Sequence, residues 1–168
     1  MSGRMVTMCS ADMAWRTATK RRALSKPARW LQANHLLVGR TLDYGCGRGD
    51  DAAELGCEGY DPHWRPDVPV GWFETIMCNY VLNVIEEEGL RLQVVWDIQS
   101  RLEDYGYAYI TVRANRKDLK GLTRIGTWQG LVTLNLPVVH KDSDSVTYEL
   151  RKDSIVCAAP AETFGGDE

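Results

Sequence analysis

The chain has 168 residues, 44% of them hydrophobic and 26% charged, with a formal net charge of −3. That length and apolar share suit one core-forming domain and exclude a disordered or collagen-like chain. Five cysteines without a CxxC pair signal neither a disulfide framework nor a zinc knuckle, and the small net charge gives no whole-chain argument for a polyanion partner.

In chain order, residues 1–14 are weakly patterned and are expected to be mobile. Ser25-Lys26-Pro27 predicts the start of a helix, because Ser caps and Pro is tolerated in the first turn. Ala28, Leu31 and Leu36 or Leu37 supply its apolar face, and Gly39 closes the segment. Thr41 to Tyr44 reads as a short buried strand, followed by the turn Gly45-Cys46-Gly47-Arg48-Gly49 and a short helix from Asp50 to Leu55. Glu58 to Asp61 is a second strand. Pro62, Pro66 and Pro69 then fall within eight residues and exclude a regular helix.

Phe73 to Tyr80 is a further strand with a continuous apolar run at Ile76, Met77 and Cys78. Leu90, Val94, Val95, Ile98 and Leu102 recur at helical spacing, which predicts a helix over 86–105 ended by Gly106. Tyr107 to Val112 is the next strand. Leu131–Leu134 and Val146–Leu150 predict a closing hairpin around the polar turn Asp142-Ser143-Asp144-Ser145. Pro137 cannot donate to a central ladder and points to an edge or an irregularity. Residues 158–168, rich in Gly and acid, are expected to be mobile. Strands alternating with helices and closed by a hairpin make an α/β fold, a mostly parallel sheet with one antiparallel edge.

Asp43-x-Gly45-x-Gly47-x-Gly49 carries the most chemical information. Glycines at alternate positions let the backbone turn sharply and let a ligand approach without a Cβ in the way. A turn between strand and helix sits at the carboxyl edge of the sheet, where α/β folds bind ligands. The spacing is not GxGxxG, and no Gly-Lys-Ser/Thr of a phosphate-binding loop is present. Asp61 ends the second strand 18 positions after Asp43, where a carboxylate can accept two hydrogen bonds from a ribose diol. Asn79 and Tyr80 end the next strand at the same edge. Cys46 and Cys78 lie inside these motifs and read as small buried residues, not nucleophiles. His35, His63 and His140 are scattered, so no metal is expected; His63 either lines the site or caps its loop.

These residues resemble the class I S-adenosylmethionine-dependent methyltransferases. Leu42-Asp43-Tyr44-Gly45-Cys46-Gly47-Arg48-Gly49 is similar to their first motif and Gly59-Tyr60-Asp61-Pro62 to their second. Glu74 to Ile85 resembles their fourth strand and the lip of the active site. The likeness runs over residues 38–113. It implies a single methyltransferase-like domain over 1–168, with a Rossmann-like, mostly parallel twisted sheet and an antiparallel C-terminal hairpin. About a dozen residues, three of them proline, separate Asp61 from the next strand, so the fold is expected to be truncated around the third strand.

The resemblance implies that S-adenosylmethionine is the cofactor, bound by Asp43, Gly45, Cys46, Gly47, Gly49, Asp61, Pro62 and Asn79. Asp43 would sit near the methionine amino group and Asp61 on the ribose hydroxyls, with Asn79 and Tyr80 bordering methyl transfer. A narrower resemblance is to the methyltransferases associated with DNA phosphorothioation clusters. It rests on Arg16-Thr17-Ala18, Arg21, Leu24-Ser25-Lys26-Pro27 and Thr123-x-x-Gly126-Thr127-Trp128-Gln129, and implies a compact relative from a phage or mobile element. The lip reads Cys78-Asn79-Tyr80-Val81, without the Pro-Pro-aromatic box of amino-methylating DNA enzymes.

Charge is distributed unevenly. Residues 1–40 hold eight basic residues against Asp12, net +7, and the remainder carries 12 basic and 22 acidic residues, net −10. In a helical segment Arg22, Lys26 and Arg29 would share a face. With Arg16 they are candidates for contacting substrate phosphates or the cofactor's carboxylate. DNA or RNA is therefore the expected substrate. The alternatives are a small-molecule or protein methyltransferase, or a protein that binds, sequesters or degrades S-adenosylmethionine. No apolar run approaches the roughly 20 residues of a membrane helix, and no signal-type apolar region opens the chain, so it is expected to be cytoplasmic.

Overall fold

The computed structural model describes residues 14–114, 121–122 and 127–156. Apart from Ala14, the ends expected to be mobile lie outside these residues, as do Cys9, Thr123, Gly126 and Cys157. Six strands form one sheet: β1 (Thr41–Tyr44), β2 (Glu58–Tyr60), β3 (Phe73–Asn79), β4 (Leu102–Arg113), β7 (Val138–Lys141) and β8 (Ser145–Arg151). Their order is β2-β1-β3-β4-β8-β7. The first four are parallel and β4, β8 and β7 pair antiparallel. β5 (Gly121–Leu122) and β6 (Trp128–Gln129) make a separate two-stranded ribbon. This is the expected Rossmann-like sheet with its antiparallel edge. No strand lies beyond β2 among the described residues; a loop fills 61–72, where the third strand was expected to be truncated.

Three helices flank the sheet: α1 (Lys26–Ala33), α2 (Asp50–Leu55) and α3 (Glu88–Ser100). Both faces of β3 are covered, which is why Ile76-Met77-Cys78 reads as an uninterrupted apolar run. Ile76 and Cys78 point into the larger core with Val94, Val95 and Ile98 of α3. Met77, one residue out of phase, meets Ala28 and Leu31 of α1 on the opposite face. Ser25 caps α1 by accepting from the Ala28 N–H, with Pro27 in the first turn as the sequence requires.

Three expectations are corrected. The helix predicted to reach Tyr105 stops at Ser100, and Leu102 opens β4 opposite Phe73. Leu102 continues the helical period by coincidence: it is fully buried, but in a strand. Gly106 is not a helix stop. It lies in β4, where a Cβ would come within 2.8 Å of the Phe73 carbonyl. The hairpin partner of β8 is Val138–Lys141, not Leu131–Leu134. The ladder starts after Pro137, whose carbonyl accepts from Glu149 N at 2.9 Å but which has no N–H to return.

The third correction concerns the basic stripe. The Ser25 cap and Pro27 start α1 at Lys26, so Arg22 is outside any helix and shares no face with Lys26 and Arg29. Lys26 instead pairs with Asp142 and Asp144 at 3.0 Å each, and the Arg29 guanidinium donates to the Leu24 carbonyl. Lys26 and Asp144 are exposed and Asp142 is half-buried, and pairs held by an exposed lysine contribute little. Lys26→Ala is expected to leave the melting temperature unchanged within scatter at any ionic strength, checked by calorimetry at low and high salt.

Candidate functional site

The carboxyl ends of β1, β2 and β3 converge on a cavity of about 400 Å³, within the roughly 300–1,000 Å³ range of small-molecule sites. Its floor is the glycine turn. The N–H groups of Gly45 and Cys46 both donate to the Tyr60 carbonyl, at 2.7 and 3.0 Å, which pins the turn to the end of β2. Asp61 completes that junction. Its Oδ2 accepts from Gly47 N at 3.0 Å, and its Oδ1 accepts from His63 N and Trp64 N at 2.9 Å each. Asp61 N–H and carbonyl also exchange bonds with Arg65, closing the loop on itself.

A strap over residues 14–25 supplies a further wall through Ala14, Trp15, Thr17, Ala18, Thr19 and Arg21. Trp15 stacks on His63 with ring centroids 4.6 Å apart, and Trp64 meets Trp15 edge-on. Arg21 N donates to Asp50, Ser25 N donates to Asp51, and the Arg48 guanidinium lies 4.1 Å over the Trp64 ring. His63 therefore lines the cavity as well as closing its loop.

Asn79 and Tyr80 form the rim at the end of β3. Both polar atoms of the Asn79 amide are buried without a hydrogen-bond partner. Tyr80 has φ +63°, a conformation uncommon for a residue with a Cβ. Beside them, the fully buried Asn83 ties three segments together. It accepts from Arg113 N at 2.6 Å and donates to the Gly130 carbonyl at 2.7 Å. On the α3 side the wall holds Gln93 and Asp97, and Asp97 accepts from the Tyr44 hydroxyl and pairs with Arg101.

Of the residues singled out in the sequence, Gly45, Cys46, Gly47, Asp61, Pro62, Asn79 and Tyr80 line the cavity together. Asp43 and Gly49 do not. Asp43 is buried beneath the turn, and Gly49 caps α2 behind the Arg65 guanidinium. Arg16, Arg22, Lys26 and Arg29 are also absent from the lining, whose cations are Arg21, Arg48 and Arg113.

Burial sets the proton affinities here. Loss of solvent, then the Asp51 carboxylate, pushes Asp43 up to about 8, with Asp61 adding to the effect and Arg21 and Arg65 opposing it. Burial, followed by Asp43 and Asp61, raises the Cys46 thiol to about 12, and burial raises the Cys78 thiol too. Both remain protonated at neutral pH, which makes them poor nucleophiles. Among the described residues no group of three His, Cys, Asp or Glu side chains is placed to hold a metal ion. No described helix is long and apolar enough to cross a membrane.

Sequence reasoning missed Trp15, Trp64, Gln93, Asp97 and Arg113. Gln93 and Asp97 left a trace, polar residues four apart beside the apolar stripe of α3. Trp15 left none, because its segment has no period.

No family model matches the chain, and no curated protein is similar to it. Solved structures are. The N-methyltransferase NodS from Bradyrhizobium japonicum WM9, in complex with S-adenosyl-L-homocysteine, superposes with a TM-score of 0.52 at 12% identity, over 76% of this chain and 85% of that one. Magnesium protoporphyrin IX methyltransferase (ChlM) from Synechocystis PCC 6803, with bound S-adenosylhomocysteine, gives 0.46 at 14% identity, over 80% and 91%. The likeness to NodS shows the fold: the sheet and its flanking helices are arranged as in that methyltransferase.

Proposed function

We propose that this protein binds S-adenosylmethionine in the cavity above the glycine turn and transfers its methyl group to an acceptor. The observation that carries the reading is the junction at the carboxyl ends of β1 and β2, where the glycine turn is bonded to the Asp61 carboxylate and both line one cavity. The donor set fits the cofactor. The Asp61 carboxylate suits the ribose hydroxyls, and Gly45, Cys46 and Gly47 suit the amino-acid portion, which needs close backbone approach. Asp51, which lines the cavity where Asp43 does not, is a carboxylate for the ammonium group.

When bound, the cofactor would supply a methyl group activated on a sulfonium sulfur, which an acceptor lone pair could take while the carbon–sulfur bonding pair stays with sulfur. The chain's own residues have little covalent work. Asn79 and Tyr80 orient the acceptor at the rim, and Trp15 with His63 excludes water from above. Alignment supplies most of the rate effect in such a reaction.

Asp61→Ala is expected to weaken S-adenosylhomocysteine binding about tenfold or more, since hydrogen bonds to a charged group are each worth roughly 1.5–3 kcal/mol. Calorimetric titration measures it. Because Asp61 also holds three backbone N–H groups, Asp61→Asn is the companion variant, keeping one acceptor oxygen for the loop. Full affinity in a folded Asp61→Ala protein would sink the ribose assignment.

The narrower proposal is a nucleic-acid acceptor. Arg16, Lys20 and Arg22 are exposed on the strap beside the cavity mouth, and the resemblance to phosphorothioation-associated methyltransferases points the same way. Labelled-methyl transfer to DNA, RNA and a small-molecule extract separates this reading from a small-molecule or protein acceptor. Incubation of the protein with S-adenosylmethionine alone separates it from sequestration, which leaves the cofactor intact, and from degradation, which consumes it.

A further inference from the structure

Three cations line the cavity, and two are engaged. Arg21 lies 3.9 Å from Asp51, and Arg48 rests on Trp64 with its Nε on the Ala18 carbonyl at 3.5 Å. Arg113 differs. Its guanidinium sits 4.8 Å over the Tyr80 ring, and among the described residues none of its side-chain N–H groups has a hydrogen-bond or carboxylate partner.

The backbone under this pair is built with care. Arg113 N is bonded to the fully buried Asn83, which also holds the Gly130 carbonyl and so fixes Gln129, another cavity residue, in the same wall. Tyr80 is held at φ +63° by its N–H on the Thr111 carbonyl at 2.8 Å, an unfavourable conformation that points to function when the surroundings enforce it. A cation stacked on an aromatic ring, without an acid partner among the described residues and next to the residue that follows Asn79, is arranged for an anionic ligand.

We propose that Tyr80 and Arg113 form an anion-recognising subsite for the methyl acceptor, and that the group it takes is a phosphate. The proposal rests on the reading of the cavity as a methyl-transfer site. The phosphate belongs either to a free mononucleotide-like acceptor or to a nucleic-acid strand, and the chemistry of recognition is shared. Arginine offers a planar fork that matches phosphate oxygens. Tyr80 holds that fork in place and offers its ring edge to the group next to the phosphate.

The test uses the full chain saturated with S-adenosylhomocysteine, whose binding heat is measured first and separately. Absence of that heat overturns the methyl-transfer reading before any anion is added. Arginine Nε–H signals are then followed by nuclear magnetic resonance at constant ionic strength, with the Arg113 signal assigned by its loss in Arg113→Met. Inorganic phosphate, thymidine 5′-monophosphate and a thymidine oligonucleotide are the probes. The Arg113 signal is expected to shift saturably with inorganic phosphate. Arg113→Met is expected to weaken the two nucleotide probes about tenfold, while S-adenosylhomocysteine affinity changes less than about twofold.

An oligonucleotide much tighter than the mononucleotide identifies a strand as the source; equal affinities identify a free anion. Either supports the subsite. No saturable shift with any probe, or unchanged probe affinity in Arg113→Met, overturns it. Should the Met variant fail to fold, Arg113→Lys keeps the charge without the fork and is expected to lose several-fold affinity. Arg113→Lys also removes the arginine Nε–H signal, so it assigns that signal in the wild-type titration.

Discussion

Gly45→Ala is expected to lower the melting temperature by about 5–15 °C and to abolish measurable S-adenosylhomocysteine binding. Two costs add. Gly45 has φ +75°, where a residue with a Cβ loses roughly 1–2 kcal/mol. The added Cβ would also run into the Val81 side chain, and overpacking of this kind costs typically 1–3 kcal/mol. In a domain of this size each kcal/mol is worth about 2–4 °C. The turn cannot rotate away, because the Gly45 and Cys46 N–H groups are both tied to the Tyr60 carbonyl. Gly56→Ala is the matched control. Gly56 has φ +66° but open space around it, so only the backbone cost applies. A Gly45→Ala protein no less stable than Gly56→Ala would refute the close-approach argument.

The glycine turn was legible in the sequence because its chemistry is local. Positive φ, a strand before and a helix after are all written within ten residues, and β1 and α2 have the bounds predicted for them. Asp61 and Asn79 were legible for a related reason. The carboxyl end of a strand faces the cavity whatever follows it. Most of the failures are long-range. Leu102 kept the helical period yet belongs to β4, because its burial is decided by Phe73 on a neighbouring strand. Lys26 looked like part of a cationic stripe, but its partners Asp142 and Asp144 are more than a hundred residues away. Trp15 and Arg113 lie nearly a hundred residues apart in the chain, and no spacing rule joins them to Asp61 or Tyr80. Asp43 differs: it sits at the expected place in the motif, but it is buried and is not among the residues that line the cavity.

That burial leads to the second large effect. In the unfolded chain Asp43 titrates near 3.8, and in the folded protein near 8. The native state therefore binds the extra proton between those values, so stability declines as pH rises from about 4 to about 8 and is level on either side. A shift of this size corresponds to a few kcal/mol. Asp43→Asn replaces the carboxyl by an isosteric neutral amide and removes the dependence. The variant is expected to match the wild type near pH 4 and to gain on it steadily up to about pH 8, measured as denaturation midpoints across that range. The same state of protonation bears on function. A carboxyl that holds its proton at pH 7 would supply no fixed charge for an ammonium group, and on the proposed reading Asp51, which lines the cavity, takes that part. Asp43→Asn should therefore keep S-adenosylmethionine affinity at pH 7 within about threefold, whereas Asp51→Asn should lose about tenfold. A large loss in Asp43→Asn with little change in Asp51→Asn would restore Asp43 as the ionised partner and show that the bound cofactor draws its proton off.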